Sequence, residues 1–261
     1  MQWYEVVYLS VIPLVVLAEN RFARIDLSED RYDRWLNNVG FGCLNELIRF
    51  TVPVLLSALL TSAHAETVSD RWPPIIGAVA AFLLMDFGFY WLHRINHRVR
   101  LLWQFHRTHH SDLNLDASTT FRHHPGEFVL NLAIVALATA GLGLTVAQIL
   151  PTLVVMRFVE LFAHSNLRIN PQLDAWLATV IVTPRVHQIH HSDFQPETDS
   201  NYGQALTWWD RWFGTFTSPH IQPQPRRFGL ADCRSADDQR WLSLLVQPFQ
   251  RASISRTVAD E

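Results

Sequence analysis

The chain of 261 residues predicts an all-α, multi-span helical membrane protein, with four to five transmembrane helices and a histidine-rich helical cap on the cytoplasmic side. Three observations carry that expectation. Hydrophobic residues make up 49% of the chain and charged residues only 17%, against roughly 25% charged in soluble domains. Five apolar stretches reach or approach the about 20 helical residues that cross a hydrocarbon core. Thirteen histidines are present, and their clusters fall at or beyond the ends of those stretches.

The first stretch, residues 3–19, carries Glu5 and has no basic residue ahead of it, which predicts a retained span rather than a cleaved signal peptide. The next are 41–62 and 73–92, the latter entered through Pro73 and Pro74. Stretches 127–146 and 148–165 come after, with Gly141 and Gly143 fitting a tight reversal between them. Glu46, Arg49, Asp86, Arg157 and Glu160 interrupt these runs. Ionisable groups at membrane depth are costly, so they are expected to face the bundle interior or lie near helix ends.

Charge sets the orientation. If the first helix exits to the cytoplasm, Arg21, Arg24, Arg31 and Arg34 lie inside, as do Arg94, Arg98, Arg100, Arg107 and Arg122. The outer loops then hold only Arg71, a positive-inside bias that puts every histidine cluster on the cytoplasmic face. All 21 basic residues are arginine and the net charge is −3, so there is no electrostatic case for nucleic acid. Cys43 and Cys233 give neither a disulfide framework nor a thiolate site. Ala175–Thr183 is apolar but too short to span, and Trp208, Trp209, Trp212, Phe213 and Phe216 suit the headgroup region. The last forty residues or so are polar and carry no legible chemistry.

The histidines carry the function. His93 and His97 are spaced i, i+4; His106, His109 and His110 are spaced i, i+3, i+4; His187, His190 and His191 repeat that pattern. On a helix such residues share a face, the geometry for several imidazoles to converge on an ion, and imidazole suits Fe, Zn, Cu and Ni. With histidine at about 5% of residues, chance supplies HxxHH about 0.03 times in this length; it occurs twice. His124, ahead of the fourth span, and His164, ending the fifth, fall at the same membrane face and are further candidate ligands, with His123 an open case beside its neighbour. His64 and His220 are isolated and read as surface residues. One zinc-like site uses three or four ligands, so this surplus of imidazoles argues for two metals. Asp86, Asp112, Asp116, Glu127, Glu160, Asp193 and Asn201 are candidates to orient the rings.

The run Asp86-Phe-Gly-Phe-Tyr-Trp-Leu-His93-Arg94, then His97, then Trp103-Gln-Phe-His106-Arg-Thr-His109-His110-Ser111, resembles the first two histidine boxes of the fatty acid hydroxylase/sterol desaturase superfamily. Thr183-Pro-Arg-Val-His187-Gln-Ile-His190-His191-Ser192 resembles the third box. Thr198-Asp-Ser-Asn201-Tyr-Gly203 and Trp209-Asp-Arg-Trp-Phe-Gly-Thr215 are similar to the segments C-terminal to that box in bacterial members. The resemblance covers roughly residues 75–220 and is specific to the class, not to a substrate. It implies two Fe ions in a di-iron centre at the cytoplasmic face of a bacterial inner membrane. It further implies O2 as oxidant, an external electron donor of ferredoxin or cytochrome type, and a lipid-like substrate (fatty acyl, sterol or related) hydroxylated at an unactivated C–H bond. Desaturation uses the same ligands and stands as the alternative. The expected division is 1–72 for N-terminal membrane helices, 73–220 for the histidine-box catalytic domain and 221–261 for a polar tail. His124-Pro-Gly126-Glu127 superficially resembles the HPGG of a fused cytochrome b5 domain, but four residues against a span are no haem domain, so electrons must come from a separate protein. A metalloprotease would need HExxH, which is absent. A histidine-rich transporter would place its ion site near the bilayer midplane, away from helix ends.

Overall fold

The computed structural model describes residues 3–27, 31–60, 73–143, 146–219 and 227–250. His64, His220 and Arg71 lie outside the described residues. The order is α1 Trp3–Arg21, α2 Arg31–Leu60, α3 Pro74–Arg98, α4 Arg100–His110, a 3-10 segment Ala117–Phe121, α5 Pro125–Leu142 and α6 Val146–His164. Short helices complete the chain: α7 Pro171–Leu177, α8 Pro184–His190, α9 Gln195–Thr198, α10 Trp208–Trp212 and α11 Trp241–Val246. The all-α expectation holds among the described residues, where β pairing is limited to isolated bridges such as Ile181 with Leu206. Among the described residues two helices, α3 and α5, are long and apolar enough to cross a membrane, with mean hydropathies of 1.9 and 1.6.

Local chemistry sets where the helices that matter begin and end. Pro74 opens α3, where its missing N–H has no intrahelical partner to lose. Val99, extended at φ −95° and ψ 113°, breaks the rod and lets α4 start at once in a new direction. That corner turns His106 and His110 back toward His93 and His97. Thr183 caps α8 by accepting from the Val186 amide, with Pro184 at the first helical position. α5 ends at Gly143, whose φ of 61° suits a residue without Cβ.

α3 is the central rod, packed against α4, α5 and α6. Ala81 and Met85 of α3 form an apolar core with Ala138 of α5 and Ile149 and Met156 of α6. Above it the short helices make a polar, tightly bonded cap. α2 starts about ten residues before the apolar run at 41, because its first turns are pinned to that cap rather than to lipid. Arg34 pairs with Asp112 at 2.9 Å and with Asp116, and Asn38 donates to Asp112 at 3.0 Å. Arg122, wholly buried, donates to Thr108 O, Asn38, Ser111 and Gln239. Residues 227–250 are part of this cap: Arg107 pairs with Asp232 at 2.7 Å, and Leu244 packs in a core with Phe41 and Cys233. Trp209, expected in an interfacial aromatic group, is instead buried with its indole N–H on Asp86 at 2.7 Å. Trp212 stays 68% exposed.

Candidate metal centre

The three clusters meet in the cap and sort into two groups. His93, His97, His106, His110 and His190 form the first; His109, His164, His187 and His191 form the second. Within each group the ligand-type atoms lie within 4.8 Å of one another, and all nine rings except the partly buried His93 are buried. The sorting obeys helix geometry. In α4 the i, i+4 pair His106 and His110 shares a face and joins the first group, while His109 turns to the second. α8 does the reverse: His187 joins the second group with His191, just past the helix end, and His190 goes to the first. Each HxxHH segment thus serves both groups. The groups touch, with the rings of His110 and His191 stacked at 4.6 Å between centroids.

Acceptors on the far side of several rings fix which nitrogen faces inward. His93 Nδ1 meets Tyr202 O at 2.9 Å, His190 Nδ1 meets Ser200 O at 2.8 Å and His164 Nδ1 meets Glu160 O at 2.8 Å. His106 Nδ1 meets the Glu127 carboxylate at 2.8 Å, and His97 Nδ1 lies 3.5 Å from Asp199. A carbonyl or carboxylate can only accept, so Nδ1 of His93, His190, His164 and His106 carries the proton and leaves Nε2 a bare lone pair, while His97 Nδ1 lies too far from Asp199 for a hydrogen bond. Asn201 sits between the two carbonyls at φ 53°, a left-handed conformation that Asn tolerates. Its side chain donates to Val186 O and Thr217 O and accepts from Thr217 N, which locks that turn.

The inward nitrogens behave as a ligand set. Nε2 of His93, His97 and His190 are buried without a hydrogen-bond partner, an arrangement that is costly unless something else binds there. His164 Nε2, already bare, faces His187 Nε2 at 2.9 Å and His109 Nε2 at 3.1 Å, and His187 Nε2 also faces His191 Nε2 at 3.1 Å. The single in-plane lone pair of His164 Nε2 cannot accept from both neighbours at once. Nitrogens about 2.1 Å from one ion would sit about 3 Å apart in neighbouring octahedral positions, so these contacts fit a cation. Burial, and then the neighbouring imidazoles, hold His109, His110, His187 and His191 well below the ordinary histidine value and His190 down to about 3. Neutral imidazole is the form that ligates.

One expected ligand is corrected. His124 stands apart from both groups: its Nδ1 accepts from the Gly126 amide as the N-cap of α5, and its Nε2 donates to Leu245 O at 3.0 Å. With both nitrogens engaged it has no lone pair for a metal. His123 lies against the site instead, stacked on His109 at 4.3 Å between Glu127 at 3.3 Å and Glu160 at 3.4 Å. These carboxylates offset the cost of burial and push His123 up to about 10. Of the candidate orienting groups, Glu127 bonds a ligand ring directly. Asp86 holds the Ala205 and Leu206 amides, Asp112 and Asp116 anchor Arg34, and Asp193 lies near Arg227 and Arg234. The Tyr202 and Ser200 carbonyls and Asp199 were not foreseen; only their place just after the third box marks them.

A model of the fatty acid hydroxylase family matches residues 78–215, more than half of the chain. The ornithine lipid hydroxylase OlsE of Rhizobium tropici is 28% identical, over 95% of this chain and 76% of that protein. Human alkylglycerol monooxygenase is 30% identical over 71% of this chain, which spans only 41% of that longer protein. The Delta(7)-sterol 5(6)-desaturase erg3C of Aspergillus fumigatus is 26% identical over 65% of this chain and 58% of that protein. No solved structure matches the chain. The family model spans all three histidine boxes and the relatives are hydroxylases, monooxygenases and desaturases, so the chain belongs to the fatty acid hydroxylase family and is an oxidoreductase.

Proposed function

We propose that the protein is a di-iron oxygenase of a bacterial inner membrane that hydroxylates an unactivated C–H bond of a membrane lipid. Four to five spans, with α1, α2 and α6 joining α3 and α5, would hold the cap at the cytoplasmic face. The observation that carries the reading is the partition of nine imidazoles into adjoining groups of five and four. Two ions suit this donor set, one held by His93, His97, His106, His110 and His190, the other by His109, His164, His187 and His191. Bound iron supplies the O2 chemistry that an unactivated C–H bond requires, driven by two electrons from a separate ferredoxin- or cytochrome-type donor. The protein's own tasks are narrower. Tyr202 O, Ser200 O, Glu160 O and Glu127 keep protons on the outer nitrogens and aim the inner ones. The buried cap excludes water from the groups it encloses. Residues 1–72 supply membrane anchorage and 73–220 the chemistry, while residues 227–250 close the cap. Ornithine-type acyl lipids are the first substrates to assay, because that relative aligns along nearly the whole chain.

Elemental analysis of detergent-purified protein expressed with added iron is expected to give about two irons per chain. Lipid profiling of the expressing cells is then expected to show products one oxygen heavier. Products lighter by two hydrogens would select the desaturase alternative, and protein holding no metal after iron reconstitution would refute the oxygenase.

A further inference from the structure

Below the cap, Glu46, Arg49, Arg157 and Glu160 sit on helices assigned to the bilayer. Glu46 and Arg49 of α2 pair at 2.6 Å, and Arg157 of α6 reaches the same Glu46 at 3.2 Å. Glu160, one turn above Arg157, meets His123 at 3.4 Å. Arg157 precedes His164 by seven residues, about 10 Å along the helix, which puts the pairs under the second metal group. Charged groups at such depth are costly and mark functional sites unless sealed inside the bundle. These are not sealed. The side chains of Arg49, Arg157 and Glu46 are 31%, 35% and 38% exposed, whereas Arg34 with Asp112 in the cap is closed to solvent. From Glu160, three residues along α6 from Arg157, contacts run through His123 and Glu127 to His106.

We propose that Glu46, Arg49 and Arg157 form a recognition site for the headgroup of a zwitterionic lipid, one that carries an acid group and an ammonium. This reading deepens the proposed lipid oxygenase and rests on it. The charge pattern names the ligand class. The ladder Arg49–Glu46–Arg157 alternates in sign, so a head bearing both signs inserts by exchanging partners, its acid onto the guanidiniums and its ammonium onto Glu46. A neutral diacylglycerol or sterol offers neither partner. Docked there, the head lies beside the His123 path, with the rest of the lipid alongside α2 and α6.

The test uses the full chain in detergent, iron-loaded and without reductant, titrated with defined lipids and monitored by native mass spectrometry. The probes are an ornithine lipid, its carboxyl methyl ester, its N-acetylated form, and phosphatidylethanolamine, whose acid is a phosphate. Either cap is expected to weaken binding to the unmodified chain about tenfold, the scale of one desolvated ion pair. Arg157→Gln should bind the ester as well as the free acid and still discriminate against N-acetylation; Glu46→Gln should do the opposite. Binding of phosphatidylethanolamine equal to that of ornithine lipid would assign the acid subsite to phosphate as well as carboxylate. Equal binding of capped and uncapped lipids by the unmodified chain overturns the headgroup site whether or not the variants fold. Iron content is read on the same samples: full iron with no cap effect leaves the oxygenase standing, and a cap effect without iron refutes only the oxygenase.

Discussion

His109 and His124 are both histidines beside membrane helices, yet their environments assign opposite roles. His109 Nε2 faces a ligand ring, whereas both His124 nitrogens are engaged by a helix cap and a carbonyl. His109→Ala should therefore abolish lipid oxidation and lower bound iron, as should His190→Ala. His124→Ala should keep its iron and lower stability by about 1 kcal/mol, the ordinary worth of an N-cap, read as a modest drop in melting temperature. Loss of iron from His124→Ala with unchanged melting would reverse the assignment. The role of His124 had a sequence signal: Pro125 marks the first position of a helix and makes its predecessor the cap. The acceptor carbonyls of Ser200 and Tyr202 had only their place just after the third box, since every residue owns a carbonyl and the turn at Asn201 aims these two.

At the scale of elements, glycine sets how closely α5 and α6 approach α3. A Cβ on Gly88 would stand 2.8 Å from Cγ2 of Ile134 on α5, and one on Gly77 would stand 2.6 Å from the Gln148 side chain on α6. Small residues at such crossings let backbones close up, the main source of helix association in lipid. Gly88 lies five residues before His93, so a forced separation there reaches the metal centre. Gly88→Val should cost about 1–3 kcal/mol through overpacking and reduce bound iron. The second change Ile134→Ala should restore part of both, because the two sites share one contact. A Gly88→Val protein with normal melting and full iron would show that the crossing is loose. The apolar runs of α3 and α5 were legible, but the early start of α2 was not, because Arg34, Asn38 and Asn45 look like solvent residues until the cap supplies their partners.

At the scale of the whole molecule, the cap gathers so many neutral imidazoles that its stability depends on pH. His109, His110, His187, His190 and His191 have folded-state values below the roughly 6.5 of unfolded histidine. Between those values the unfolded chain binds more protons, so their contribution is present above pH 6.5 and is lost as pH falls. His123 runs the other way: raised to about 10 by its carboxylates, it stabilises below 6.5 and loses that contribution as pH rises toward 10. Asp210, pushed up to about 6 by burial, likewise loses its contribution as pH rises, and the five lowered rings outweigh these two. Protein stripped of metal by a chelator should melt at a clearly lower temperature at pH 5.5 than at pH 7.5, and iron should narrow the gap by tying up the same nitrogens. Equal melting of the stripped protein at both values would mean the rings are solvated rather than buried.

Residue types and spacings by themselves determined much of this protein. Two HxxHH segments, one HxxxH segment and the apolar runs between them were enough for the helical character of the described residues, a gathering of more imidazoles than one ion uses, and the fatty acid hydroxylase family. These are local properties, set by helical periodicity and by the chemistry of imidazole. Only the tertiary structure decided the sorting into five and four, the exchange by which His109 and His190 each leave their own segment's group, and the removal of His124 from the ligands. The reason is physical. A helix fixes the angle between His106, His109 and His110, but the meaning of each direction depends on what packs there, and those partners lie on α3, α6 and α8, tens of residues away in the chain.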